Sequence, residues 1–132
     1  MSFRIIQLEH LNIQIKENNN NISLLFNAAL IKKTMDDAEK KTLWQQDGSI
    51  ELRNIHNKIN IDLHKATILD INISYDFYTY KNMLVLPFFK KGDILLSIQF
   101  DKIEKILEIE CSEIEILLID NPKYIRHIKK SE

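Results

Sequence analysis

The chain is short of the residues on which most recognisable chemistry is built. Its 132 residues include one cysteine, two glycines, two prolines and one tryptophan. The lone Cys111 excludes an intramolecular disulfide, fits a reducing compartment, and reads as a small core residue rather than a nucleophile. Gly48 and Gly92 lie far apart and neither sits in a repeated glycine loop, which excludes the backbone cradles that hold phosphates and dinucleotides. No nucleophile elbow, cysteine pair or histidine pair on one helical turn occurs, so the familiar hydrolase and zinc patterns are missing. The sequence therefore predicts no catalytic residue, no metal ligand set and no cofactor, and points to a non-enzymatic protein.

An excess of one charge is lacking too. Eighteen basic residues face nineteen acidic ones, for a net charge of -1 and a pI near 6.4. Such a balance creates no field to gather phosphates, and nucleic acid is not an expected partner. Segregation is slight: Lys90, Lys91 and the tail residues Lys123, Arg126, Lys129 and Lys130 are basic, while Glu104 to Glu115 is acidic, as solvated faces would be. Residues 1–11 have neither a basic leader nor an apolar signal core, and no apolar run is long enough to cross a bilayer. A soluble, cytoplasmic protein with no membrane partner is expected.

What the chain has is isoleucine, 23 residues against a single valine. Hydrophobic residues make up 45% and charged residues 28%, enough to bury the core of one domain spanning 1–132. The arrangement follows a period of two. From Lys58 to Phe100 the odd positions Ile59, Ile61, Leu63, Leu69, Ile71, Ile73 and Tyr75 are apolar, and the even positions between them are mostly polar, which predicts a central strand ribbon with one wet face. Earlier, Ile5, Leu11, Ile13 and Ile15 share a phase, Glu17 to Asn21 supplies a turn, and Ile22 to Leu30 returns as a strand apolar on both sides, as suits a central position.

Lys32 to Thr42 reads as a short surface helix capped by Thr34 or as an ordered loop. Asp47 and Gly48 predict a turn before a strand from Ser49 to Arg53. Pro87 confines Asn82–Phe89 to a sheet edge or a bulge, and Lys90–Asp93 reads as a turn into Ile94–Phe100. Ile103–Ile119 fits both periods, and strands are favoured because Ile109, Ile116 and Ile119 would fall on the polar side of a helix. Asn121 and Pro122 end that segment. The sum is an all-β, mainly antiparallel domain of about eight or nine strands, a β-sandwich or partly open barrel with at most one or two short helices.

Two groups of residues are candidates for function. Asp62, His64 and Asp70 share the even face of the ribbon, with His56 just before it. On one strand Asp62 and His64 would lie about 7 Å apart, at two rises of ~3.3 Å, although a solvated face holds such residues without any function. His10 and His127 are isolated. The second group is Tyr75, Phe77, Tyr78 and Tyr80, where aromatics could cap the core or form the centre of an interface. Trp44 carries the same choice, with core packing favoured. In size, layout and charge the chain is similar in type to small bacterial binding proteins, including immunity proteins that neutralise a cognate toxin. The expectation is a protein-binding module using the ribbon's even face and the tyrosine loop. The alternative is a small-ligand binder or enzyme with a pocket in a barrel mouth near Asp62 and His64. An exposed Ile-rich edge could also pair two copies as a homodimer.

Overall fold

A computed structural model describes residues 3–34, 41–59 and 62–128. Every regular element among them is a strand: β1 (Phe3–Gln7), β2 (Asn12–Asn18), β3 (Asn21–Thr34), β4 (Lys41–Ile55), β5 (Lys65–Tyr75), β6 (Tyr78–Lys81), β7 (Met83–Leu86), β8 (Phe89–Phe100) and β9 (Leu107–Ile128). All pairings are antiparallel and form one sheet in the order β2-β5-β8-β9-β4-β3-β1-β7, with β6 added to β5. Because β2 pairs with both β5 and β3, the sheet returns on itself as a ring, the geometry of a partly open barrel. Isoleucine suits this arrangement, since its branched Cβ packs well on a pleated surface. No helix among the described residues is long and apolar enough to cross a membrane.

The ring is filled by its own side chains. Leu24, Ile50, Leu52, Ile68, Ile71, Leu96, Ile98 and Phe100 are among the fully buried residues of β3, β4, β5 and β8, and Ile13 of β2 and Ile114 of β9 join the same cluster. Each such side chain contributes about 1.5–3 kcal/mol through burial. On the outer face Ser23 hydrogen-bonds Glu51, and Arg53 bridges Glu113 and Glu115 at 2.6 and 3.0 Å, so polar rows cover the long central strands.

Several expected features stand as read. β3 has partners on both sides, β2 and β3 form a hairpin across Asn19–Asn20, and Ile109 to Ile119 is strand rather than helix. β7, which ends just before Pro87, is hydrogen-bonded to β1 alone. The tyrosine-rich segment Asp76–Lys81, expected as a connection, is instead a two-residue turn at Asp76–Phe77 followed by a strand, β6, paired with β5.

Other features differ, each for a physical reason. The predicted Asp47–Gly48 turn lies inside β4, where a Cβ on Gly48 would strike the Leu117 carbonyl and come within 2.8 Å of the Phe26 ring. Glycine there gives room instead of a reversal. Lys90–Asp93 is likewise not a turn but a bulge inside β8, with Gly92 at φ +143° against the Tyr75 ring. Phe3–Ile15 is two strands separated at His10, whose φ is 69°, and the first of them buries Ile6 rather than Ile5. Ile103–Ile106 precedes the strand, and β9 runs as a single strand past Pro122, because irregular pairing between Ile119 and Lys123 accommodates the proline.

The central ribbon needs the largest correction. Strand structure begins only at Lys65, and a bulge between Ile68 and Asp70 switches the phase. Ile68 is therefore buried and Leu69 exposed, after which Ile71 and Ile73 follow the expected odd positions. The expected helix or loop at Lys32–Thr42 is strand at both ends, and its middle, 35–40, lies outside the described residues.

Candidate functional site: an aromatic hairpin tip

The β5–β6 hairpin pairs Tyr75 with Tyr78 and turns through Asp76 and Phe77. Asp76 has a φ of 55°, a left-handed conformation that aspartate tolerates better than most side chains. The turn leaves Phe77 fully exposed at the tip, with Tyr78 exposed beside it. Below them the aromatic series continues inward. Tyr78 lies 4.6 Å from Tyr80 between ring centroids, and Tyr80 meets the buried Phe88 edge-on at 5.1 Å. Aromatic pairs of this kind contribute ~0.5–1.5 kcal/mol each beyond the area they bury.

The base of the hairpin is fastened to β8. The Tyr75 hydroxyl donates to the Lys91 carbonyl at 3.1 Å, and Lys90 Nζ stands 5.7 Å from the Tyr75 ring and 5.8 Å from the Phe88 ring. Tyr75 seats closely on Gly92, where a Cβ would approach the ring to 3.2 Å and the φ of +143° is one that other residues rarely adopt. At the far end Asn82 acts as a corner. Its Oδ1 accepts from the Ile71 N–H, its Nδ2 donates to Asp70, and its own N–H donates to the Ile71 carbonyl. The tip is thus an exposed apolar surface on a fixed stalk.

The fold brings Tyr75, Phe77, Tyr78 and Tyr80 together as a graded series, from packed to exposed. Phe88 and Lys90, which complete the cluster, lie outside the 75–80 segment. The alternation Leu84, Leu86, Phe88 marks Phe88 as inward-facing, but only the pairing of β8 explains its place under Tyr80.

Asp62 and His64 precede β5 and share no strand face. Asp62 lines a shallow cleft of about 240 Å³ with Leu63, Phe100 and Ile106. His64 is exposed, and its carbonyl accepts from the Ile15 N–H at 2.8 Å. Asp70 is engaged by Asn82, and His56 Nε2 lies 2.5 Å from the Ser112 hydroxyl. No group of three metal-ligating side chains occurs among the described residues. Trp44 is half-buried, donates from Nε1 to the Thr42 hydroxyl at 2.8 Å, and meets Tyr124 edge-on. Cys111 is buried, and that burial pushes its thiol up to about 11 against a smaller opposing hydrogen bond from the Glu113 backbone.

Comparison of the chain with protein-family models, curated proteins and solved structures gives no match.

Proposed function

We propose that this chain is a non-enzymatic protein-binding module that presents the β5–β6 tip to a protein partner, in the manner of an immunity protein that neutralises a toxin. The observation that carries the reading is Phe77: a large apolar side chain, fully exposed, on a turn whose stalk is packed against the core. Leaving an aromatic ring in water has no benefit for folding, whereas a rigid exposed aromatic gives an interface much buried area for few frozen rotors. Tyr78 adds a second ring with a polar end, and Lys90, Asp76 and Asp93 lie about the turn with both signs of charge. Such a rim fits a protein surface better than a phosphate-rich one.

The reading as a ligand-binding barrel has less support. Asp62 lines a small cleft without His64, and the larger cleft of about 700 Å³ bordered by Asn12, Phe26, Gly48, Lys65 and Asp120 includes neither residue. The test is capture from the native cell extract by the wild-type chain and by a Phe77→Ala/Tyr78→Ala double variant, together with the product of the adjacent gene as a named bait. A protein retained by the wild type and lost by the double variant supports the reading. Equal retention by both assigns recognition elsewhere.

A further inference from the structure

Where β7, β1, β3, β4 and β9 run side by side, the register sets two cross-strand rows next to each other. The first is Leu84, Ile6, Ile31, Trp44 and Tyr124, and the second is Leu86, Arg4, Lys33, Thr42 and His127. Directly opposite residues of antiparallel strands point to the same side, so both rows lie on one face of the sheet. Each row emerges from the core as it crosses towards β9. Leu84, Ile6 and Ile31 are buried, Trp44 is half-buried and Tyr124 is exposed, while Leu86 is buried, Arg4 and Lys33 are half-buried and His127 is exposed. Ring contacts agree with this placement: Tyr124 meets Trp44 at 5.3 Å and His127 at 5.7 Å between centroids.

Arg4 stands directly opposite Lys33. Like charges so placed destabilise a sheet, and among the described residues neither cation meets a carboxylate. No acidic residue occurs in either row. The face therefore holds two adjacent cations at a cost to the fold, with three aromatic rings beside them. Lys33 and Trp44 are diagonal neighbours on β3 and β4, about 7–8 Å apart, a separation that one nucleotide bridges from phosphate to base. The near-neutral charge of the whole chain conceals this cluster, because its cations come from the first and third strands and meet only through the register.

We infer that this face binds single-stranded nucleic acid, with Arg4 and Lys33 on the phosphates and Trp44, Tyr124 and His127 against the bases. Unpaired strands are held by this combination, a cationic track for the backbone and aromatic side chains on which bases stack. Charge alone would suit an acidic protein segment equally well. The rings decide for the nucleic acid, since every base offers them a flat face, and for the single strand, since a duplex keeps its bases stacked on one another. The strands that build this face are not those of the β5–β6 tip, and the two surfaces are independent.

Trp44 is the only tryptophan in the chain, so its fluorescence reports on the face directly. The test titrates the full chain at low salt with a short single-stranded oligothymidylate, with the same strand annealed to oligoadenylate, and with polyglutamate. The single strand is expected to quench Trp44, the other two to bind far more weakly, and added salt to weaken the single strand. Tyr124→Ala should weaken it roughly tenfold. Lys33→Glu should do the same and flatten the salt dependence, yet leave the melting temperature no lower, because it sets a carboxylate opposite Arg4. Arg4→Gln is the second variant should Lys33→Glu fail to fold. Lys32→Glu makes the same charge change on the opposite face of β3 and should matter far less. Absence of quenching by the single strand overturns the inference, as does equally tight binding of the duplex or of polyglutamate, or equal losses from Lys32→Glu and Lys33→Glu. A lower melting temperature for Lys33→Glu also overturns it, by assigning the cation to the acids of the β3–β4 connection, Asp36, Asp37 and Glu39.

Discussion

At the residue scale, the fold depends on a few positions whose role is to make room or to stay dry. Gly48 is the sharpest. Any side chain there meets the Leu117 backbone and the Phe26 ring, and neither is a flexible end that can swing aside. Gly48→Ala should destabilise the protein by about 1–3 kcal/mol, as overpacking does, and a urea melt should show a lower midpoint with unchanged slope. Cys111 behaves in the opposite sense, as a thiol kept neutral by burial. Its folded pKa of about 11 exceeds the ordinary 9.0, so the folded state holds its proton more tightly than the unfolded state. That contribution is fully present below pH 9 and is lost as the pH rises from there through about 11. Native protein at neutral pH should therefore resist thiol reagents, and alkaline melts should fall less steeply for Cys111→Ala than for the wild type between those values. Rapid native labelling would contradict the burial.

At the element scale, the strands that alternate cleanly were legible and the irregularities were not. Ile94, Leu96, Ile98 and Phe100 on β8, and Ile114 and Ile116 on β9, declare their inward face because one side of each strand is buried. A bulge shifts that phase by one residue and leaves little mark in composition. Nothing local distinguishes Ile68 from Leu69, yet the bulge in β5 buries one and exposes the other. Turn chemistry misled for a related reason. Asp47 and Gly48 are turn formers, but here Gly48 serves close packing while the Asp47 carboxylate accepts from the Ala28 N–H at 2.8 Å, holding the bulge of the neighbouring strand. The tyrosine segment was recognisable as aromatic, but the division between packed and exposed rings depends on Phe88, which is distant from the hairpin turn along the chain. The hairpin predicts a separation that can be measured. Phe88→Ala should cost ~3–5 kcal/mol of stability, as large aromatic truncations in a core do, whereas Tyr78→Ala should cost only the ~0.5–1.5 kcal/mol of its ring pair with Tyr80. Equal losses in thermal melts of the two variants would show that the tip is packed rather than presented.

At the scale of the whole molecule, six of the nine strands, β2, β5, β8, β9, β4 and β3, close a ring, and the aromatic tip projects outside it. Ring closure was out of reach of the sequence, because the pairing of β2 with β5 joins segments about fifty residues apart and depends on the twist of the entire sheet. The most exposed aromatic, Phe77, marks the proposed centre of recognition. The measurement that tests this most directly is a calorimetric titration of the captured partner into wild-type, Phe77→Ala and Tyr78→Ala chains, each accompanied by a melting curve. The account predicts that each substitution weakens binding by ~2 kcal/mol or more, roughly thirtyfold, with the melting temperature unmoved for Phe77→Ala and lowered by only a few degrees for Tyr78→Ala. Unchanged affinity in both variants, with the partner still bound, would contradict it.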